Sequence, residues 1–491
     1  MIITSLFIIL AAVALPSVRS TPALLTRTRT LTLLSSALVS SNIGDLTRGL
    51  TCWSGLIQIT PITFYRDILI LVRGRIALTP WASFDLPNSK TRGRLTIRTY
   101  PVFIIFTTFG SLCLVSRADL ITLYLAIELQ SFRVYILRAL YRDYESATHA
   151  GLLYFLLGGL SSSLILLGRG IIYAYTGLTS LESIWSLISV EGSYRSVTLG
   201  FTILAVGLFF KVTAAPFHNW GPDVYDGVPT IVTTWLAVLP KISILSFLLE
   251  MRPNLSNHSL DMVSDFMSYN AWTLLLLTSS LISLVRGTVV GLAQTRIKRL
   301  LAYSTVSHIG FLFLALSVHS EERREAYIFY LVSYTATRLT RFMTILAIGY
   351  ATRTENRSDI SEITELTGIT RSHPLLALSL ALCLFSIRGV PPLVGFFRKM
   401  SVLYTAIHAG YTFMAIRAVV VSVISASYYL RVIRVVHNSE STQTREISRF
   451  PVTYVHTYLV SLLTLSLTLF LASPDILLNS VRLIALATYS N

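Results

Sequence analysis

Five side chains able to carry or steer a proton, Glu128, Lys211, Lys241, His308 and Lys399, stand within or beside long apolar stretches of this 491-residue sequence. Lys241 lies eleven residues into the run that begins at Thr230, about 16 Å at the helical rise and so near the middle of a ~30 Å hydrocarbon layer. Glu128 and His308 each lie eight residues into their runs, about 12 Å deep, and Lys211 thirteen residues into its own, about 20 Å. An ionisable group at that depth costs about 2.5 to 3.5 kcal/mol even on mild scales, so each needs a reason to be there. Lysine, unlike arginine, gives up its proton when its surroundings change. The chemistry these residues suggest is proton transfer along a polar axis.

Each also has a simpler role available. Glu128 can hydrogen-bond a neighbouring helix, Lys211 can snorkel to a boundary, and His308, among Tyr303, Ser304, Thr305 and Ser307, can be a packed, satisfied histidine. Lys241 is too deep to snorkel easily. Lys298 and Arg299 begin a helix and are expected at the interface. As a relay, Glu128 and Lys211 are expected to form an ion pair that holds the lysine charged, with Lys241, His308 and Lys399 as stations bridged by water.

Composition narrows the alternatives. Only 64 residues are Asp, Glu, Lys or Arg, 13% of the chain, against about 25% in soluble proteins. Hydrophobic residues make up 53% and the mean hydropathy is +0.65, as in a membrane protein. The net charge of +16 comes from five lysines and 35 arginines, scattered through apolar runs rather than gathered into a nucleic-acid-binding face. Cys52, Cys113 and Cys383 are far apart and form no metal-ligand pattern. Gly168-Arg-Gly170 lacks a third glycine, and no Gly-Lys dipeptide occurs, so neither a dinucleotide fingerprint nor a phosphate-binding loop is expected. The chain is expected to bind no cofactor, metal or nucleic acid, only membrane lipids and other membrane subunits.

Helices must position these residues. Residues 146–168, 266–285, 300–320 and 450–474 contain no charged side chain, and each is long enough to span a bilayer. Shorter or interrupted runs bring the expected total to about fourteen spans. Residues 375–430 are far too long for one span, so the chain must break near Gly389-Val-Pro391-Pro392, beside Lys399. Pro216, five residues after Lys211, makes a second break. Broken helices at membrane depth line cavities or lie buried in protein, and two breaks, each near a lysine, suggest two related halves. Residues 1–14 end in Ala12-Val-Ala14 with no preceding positive charge, so a retained first helix is expected rather than a cleaved signal. The loop around Arg296, Lys298 and Arg299 is basic while the 218–227 loop is acidic, which leaves orientation open. We divide the chain into N-terminal helices (1–98), a proton-translocating core (99–437) and a C-terminal loop with the last span (438–491).

The same residues stand in longer phrases. Glu128-Leu-Gln-Ser-Phe, Lys211-Val-Thr-Ala-Ala-Pro-Phe-His-Asn-Trp-Gly-Pro-Asp, Lys298-Arg-Leu-Leu-Ala-Tyr-Ser-Thr-Val-Ser-His308 and Gly389-Val-Pro-Pro-Leu-Val-Gly-Phe-Phe-Arg-Lys399 resemble the NADH dehydrogenase subunit 2 family, antiporter-like subunits of respiratory complex I. The likeness runs from about Val102 to the C-terminus, and Glu145-Ser-Ala-Thr-His-Ala-Gly is similar to the mitochondrial form. It implies an all-α polytopic membrane fold of fourteen helices, with inverted five-helix repeats and two discontinuous helices. It also implies that Glu128, Lys211, Lys241, His308 and Lys399 lie on a proton pathway in the inner mitochondrial membrane. NADH, FMN, iron–sulfur clusters and ubiquinone would be handled by other subunits of the complex, sister antiporter-like subunits among the partners. A cation/proton antiporter, or a structural subunit with a vestigial polar axis, would share much of the wording.

The arginines depart from the family. Arg133, Arg138, Arg169, Arg286, Arg338, Arg341, Arg388, Arg398 and Arg417 lie in or beside membrane segments where it carries small, polar or apolar residues. Either they find carboxylate, lipid or subunit partners, or the codons are read or edited to other residues.

Overall fold

The computed structural model describes Thr4, Phe7, residues 31–38, 40, 49–80, 94–139, 145–191, 195–251, 264–318, 322–352, 359–438 and 454–487. Most of the expected first helix, at 1–14, lies outside these residues. The described chain is almost entirely helical: α1 Pro61–Leu78, α2 Arg94–Val115, α3 Leu120–Ala139, α4 Glu145–Thr176, α5 Leu181–Glu191, α6 Arg195–Val212, α7 Trp220–Gly227, α8 Thr230–Glu250, α9 Ser264–Leu292, α10 Ile297–Ser317 and α11 Glu322–Ala351. After a 3-10 turn, Ile363–Leu366, come α12 Ile369–Ser372, α13 Pro374–Arg388, α14 Val394–His408, α15 Thr412–His437, α16 Tyr454–Thr468 and α17 Pro474–Ala487. Among the described residues the strands are those of a small antiparallel hairpin, β1 Leu50–Cys52 with β2 Ile57–Ile59, turned by Trp53, Ser54 and Gly55 at positive φ.

Six described helical segments are long and apolar enough to cross a bilayer, and their burial separates two kinds. Residues 454–471 are 33% buried inside the protein and present the rest outward, whereas Thr230–Glu250 and Ile297–Ser317 are 94% buried. A helix apolar all round is either a core helix or a lipid-facing span, and here the burial decides. α8 and α10 are therefore protein-enclosed spans, and they carry Lys241 and His308.

Both expected breaks are present. α6 stops at Val212, Thr213 takes φ 68°, and the chain restarts as α7 after a cis Ala215–Pro216 bond. α13 stops at Arg388, where Gly389 at φ 91° makes the left-handed C-terminal turn and closes it with bonds from its N–H to the Phe385 and Ser386 carbonyls. Only glycine adopts that conformation without strain. The 390–393 turn contains a cis Pro391–Pro392 bond before α14 begins. In chain order the breaks occupy the fourth place in two five-helix runs: α2, α3, α4, α6–α7, α8, then α9, α10, α11, α13–α14, α15, with the short α5 inserted in the first and the four-residue α12 in the second.

The described residues form two compact units. In the first, made of residues 1–78, 85–213 and 239–275, α4 and α6 pack backbone to backbone. A Cβ at Gly168 would lie 2.7 Å from the Gly200 carbonyl oxygen, and one at Gly207 would lie 2.9 Å from that of Ser161. Small residues permit such approach between membrane helices. Arg66 of α1 and Arg117, just before α3, both pair with Glu250 at the end of α8, the latter at 2.6 Å. In the second unit, made of 79–84, 214–238 and 276–491, α11 is the buried centre, in contact with α10, α13, α14, α16 and α17. Gly287 brings α9 against Ser307 of α10, where a Cβ would lie 2.6 Å from its backbone nitrogen.

Candidate functional site

In the first unit three expected residues approach the α6 break. The close α4–α6 packing places Ser162 and the Gly158 carbonyl over Lys211, whose Nζ donates to Ser162 Oγ at 3.1 Å and to Gly158 O at 3.4 Å. Lys241, 3% exposed and preceded by Pro240 inside α8, donates from Nζ to Thr213 Oγ1 at 2.7 Å. The Thr213 hydroxyl in turn donates to the Val212 carbonyl. Thr213 is thus held in its unusual backbone conformation at the break with its hydroxyl under the Lys241 amine. Gln130 of α3 donates to Ser243 of α8 at 3.0 Å and ties those two helices together.

The expected direct ion pair between Glu128 and Lys211 is not formed: among the described residues the ion pairs within 4 Å do not include Glu128. Its Oε2 receives Ser131 Oγ at 3.4 Å, and its Oε1 is buried with no hydrogen-bond partner. The hydrogen bonds of Lys211 go instead to Ser162 and Gly158. The reason is geometric, since α4 already supplies the lysine with neutral acceptors.

The second unit holds His308 and Lys399 together. His308 Nδ1 lies 2.7 Å from Tyr330 Oη of α11. Lys399 Nζ donates to the Arg388 carbonyl at 2.8 Å, across the break, and sits 5.4 Å from the centre of the Phe311 ring. The helix crossing that allows this depends on Gly395, where any Cβ would coincide with the Ser386 carbonyl. His308 and Lys399 line one small cavity of about 10 Å³, with Thr288, Ser307, Ser425 and Tyr429 also on its wall. That is about the space a single water needs, and the wall supplies polar partners.

Sequence reasoning missed the hydroxyls, Ser162, Thr213 and Tyr330, because Ser, Thr and Tyr inside apolar helices usually bond their own backbone or pack. The signal available for Thr213 was its place between Lys211 and Pro216.

The arginines divide. The side chains of Arg133 and Arg138 lie outside the described residues. Arg286 and Arg417 are exposed, and Arg388 is half-buried. Arg169 donates to the Leu120 carbonyl at 2.8 Å and stacks on Tyr124. Arg338 donates to the hydroxyls of Tyr334 and Tyr225, each at 3.1 Å, Arg341 to Ser304 at 3.1 Å, and Arg398 to Thr337 at 2.9 Å. None of these four has a carboxylate within ion-pair distance among the described residues. At the loops, Arg296 pairs with Asp226 at 2.6 Å, Lys298 with Asp359 at 3.1 Å, and Arg299 with Asp223. Acidic and basic loop residues thus pair directly.

Residues 118–425 match the model of the NADH:quinone oxidoreductase/Mrp antiporter transmembrane family. The NADH-ubiquinone oxidoreductase chain 2 of Rhizopus oryzae is 42% identical, with 99% of each chain covered. This chain belongs to that family. NADH-quinone oxidoreductase subunit N of Parvibaculum lavamentivorans is 34% identical over 80% of this chain and 77% of its own. Among solved structures, a chain of respiratory complex I from Thermus thermophilus superposes with a TM-score of 0.76 at 25% identity, covering 98% of this chain and 99% of that one. An Mrp complex chain from Dietzia, at 18% identity, covers 97% of this chain and 95% of its own with a TM-score of 0.77, and shows the shared fold alone. As a member of the family this chain is an antiporter-like membrane subunit of proton-translocating NADH:quinone oxidoreductase.

Proposed function

We propose that Glu128, Lys211, Lys241, His308 and Lys399 are the proton-carrying residues of this subunit. The observation that supports the reading best is where two of the lysines end. Lys241 rests on the hydroxyl of Thr213, just past the end of the first broken helix, and Lys399 on the terminal carbonyl of the second. A helix C-terminus leaves carbonyls unpaired and carries partial negative charge, so it is a built place for a cation inside the membrane. An amine there can bind a proton, hand it to a hydroxyl or a water, and take it up again; a guanidinium cannot. Glu128, with a free buried oxygen, adjusts the charge felt by Lys211 without locking it in a pair. His308 and Lys399 exchange a proton through the water-sized cavity they share, with Tyr330 orienting the imidazole.

NADH oxidation and ubiquinone reduction, with FMN and the iron–sulfur clusters, belong to other subunits in this reading, and the chain itself binds none of these. It works in the mitochondrial inner membrane, a placement supported by the end-to-end likeness to the Rhizopus oryzae chain and by the mitochondrial wording after Glu145. The division into 1–98, 99–437 and 438–491 is kept, the family match falling within its middle part. On a native gel of solubilised membranes the chain should co-migrate with NADH:quinone reductase activity. Migration as a separate, NADH-inactive complex would favour the antiporter reading. Glu128→Gln and Lys211→Met in the intact complex should depress proton uptake while NADH oxidation by an artificial acceptor persists; full pumping would mean a scaffolding role.

A further inference from the structure

The second unit carries a groove of about 600 Å³ between α11, α14, the 3-10 turn Leu469–Leu471 that follows α16, and α17. Its floor is aromatic: Phe329, Phe397 and Phe470 meet there, with ring centres 5.9 Å apart for Phe329–Phe470 and 5.5 Å for Phe397–Phe470. Its walls are apolar, with Leu478 and Val481 contributed by α17. Its rim is charged. Glu322 and Glu325 begin α11 and Arg482 stands on α17. Glu322 and Phe329 are seven residues apart on α11, so the groove runs about 10 Å inward from the charged helix start.

The rim charges are under-used. Arg482 Nε and Glu325 Oε2 are 3.8 Å apart, with side chains 62% and 44% exposed, too long for a hydrogen bond. A guanidinium beside two carboxylates, over an apolar slot descending into the spanning layer, matches one headgroup in sign and order. We infer that the groove binds a phosphatidylethanolamine molecule: an acyl chain on the phenylalanine floor, the phosphate on Arg482, the primary ammonium on Glu322 and Glu325. The ammonium offers three N–H donors to carboxylates. A quaternary choline offers none, and an anionic headgroup would meet two like charges with one counter-charge. The volume lies within the range of small-molecule sites. The floor residue Phe397 precedes Lys399 by two positions and Phe329 adjoins Tyr330, so the lipid would brace the far sides of the elements that hold Lys399 and His308.

The test uses the intact complex in vesicles of equal parts phosphatidylethanolamine, phosphatidylcholine and phosphatidylglycerol, one of the three at a time bearing a photoactivatable diazirine on an acyl chain. After illumination, peptide mass spectrometry reads labelling of residues 322–329, 397–405 and 474–482. The phosphatidylethanolamine probe should label these at least about fivefold above the other two. Unlabelled lysophosphatidylethanolamine should compete it away, while labelling at outward-facing Leu462 stays constant. The double variant Glu322→Gln with Glu325→Gln should remove the preference, and Leu478→Trp, which fills the slot, should remove the labelling. Equal labelling by all three probes would mean ordinary boundary lipid and overturn the proposal. So would a cross-link to a neighbouring subunit in place of lipid, or labelling that neither competition nor the variants change. The competition arm needs only the unmodified complex, so a variant that fails to assemble does not rescue the idea.

Discussion

Thr213 carries more of the mechanism than its type announces. It accepts a hydrogen bond from Lys241 and is the first residue past the end of α6. A hydrogen bond to a charged group contributes about 1.5 to 3 kcal/mol, which is about tenfold or more in a rate that depends on it. Thr213→Ala should therefore lower NADH-driven proton uptake about tenfold with assembly intact, and Thr213→Ser should restore most of it. Equal activity of all three forms would remove the hydroxyl from the account. The buried arginines pose the opposite problem. Arg398 is 0% exposed with Nε and Nη2 unpartnered, and the Nε atoms of Arg338 and Arg341 are also buried and unpartnered. A buried ion without a counter-charge costs several kcal/mol, which the hydroxyl bonds and ring contacts of these arginines offset only in part. We expect peptide mass spectrometry across residues 396–400 to find an uncharged residue in place of Arg398; an arginine mass would show that the hydroxyl and aromatic contacts suffice. At this scale the ionisable residues were legible, because charge in an apolar run stands out. Their partners Ser162, Thr213 and Tyr330 were not, because a hydroxyl in a helix looks the same whether it bonds its own turn or a lysine from another.

At the scale of elements, the breaks were readable from proline and glycine, while the contact across the second break depends on a residue whose role shows only in three dimensions. Gly395 lets α14 cross the end of α13 so that Lys399 reaches the Arg388 carbonyl. Overpacking usually costs about 1 to 3 kcal/mol, and here the added carbon would fall on a backbone atom that cannot rotate away. Gly395→Ala should lower the thermal midpoint of the assembled complex and abolish pumping even where assembly survives. A native-gel temperature series with unchanged melting would show that the crossing relaxes freely. α5 and α17 were not anticipated. Both are short, at 11 and 14 residues, and a span takes about 20. The hairpin at 50–59 escaped for a related reason: three-residue strands carry too little alternation to register.

For the whole molecule, the low charge fraction proved the most informative number and the net charge the least. Acidic and basic loops pair directly, so their balance reports contacts rather than orientation. The two enclosed spans, α8 and α10, explain why the polar residues could be picked out. Each is 94% buried in protein, and Lys241 and His308 are ionisable groups that a protein interior accommodates more readily than lipid. What sequence alone could not give was which group each lysine touches, since those contacts join helices far apart in the chain. The central claim is that buried amines at helix breaks move the protons. It is tested most directly by Lys241→Met in the intact complex, reconstituted in sealed vesicles, with protons taken up measured against NADH oxidised. The variant should assemble at normal abundance, retain NADH oxidation by an artificial acceptor, and lose NADH-driven proton uptake at least about tenfold. Uptake equal to that of the unmodified complex would contradict the claim.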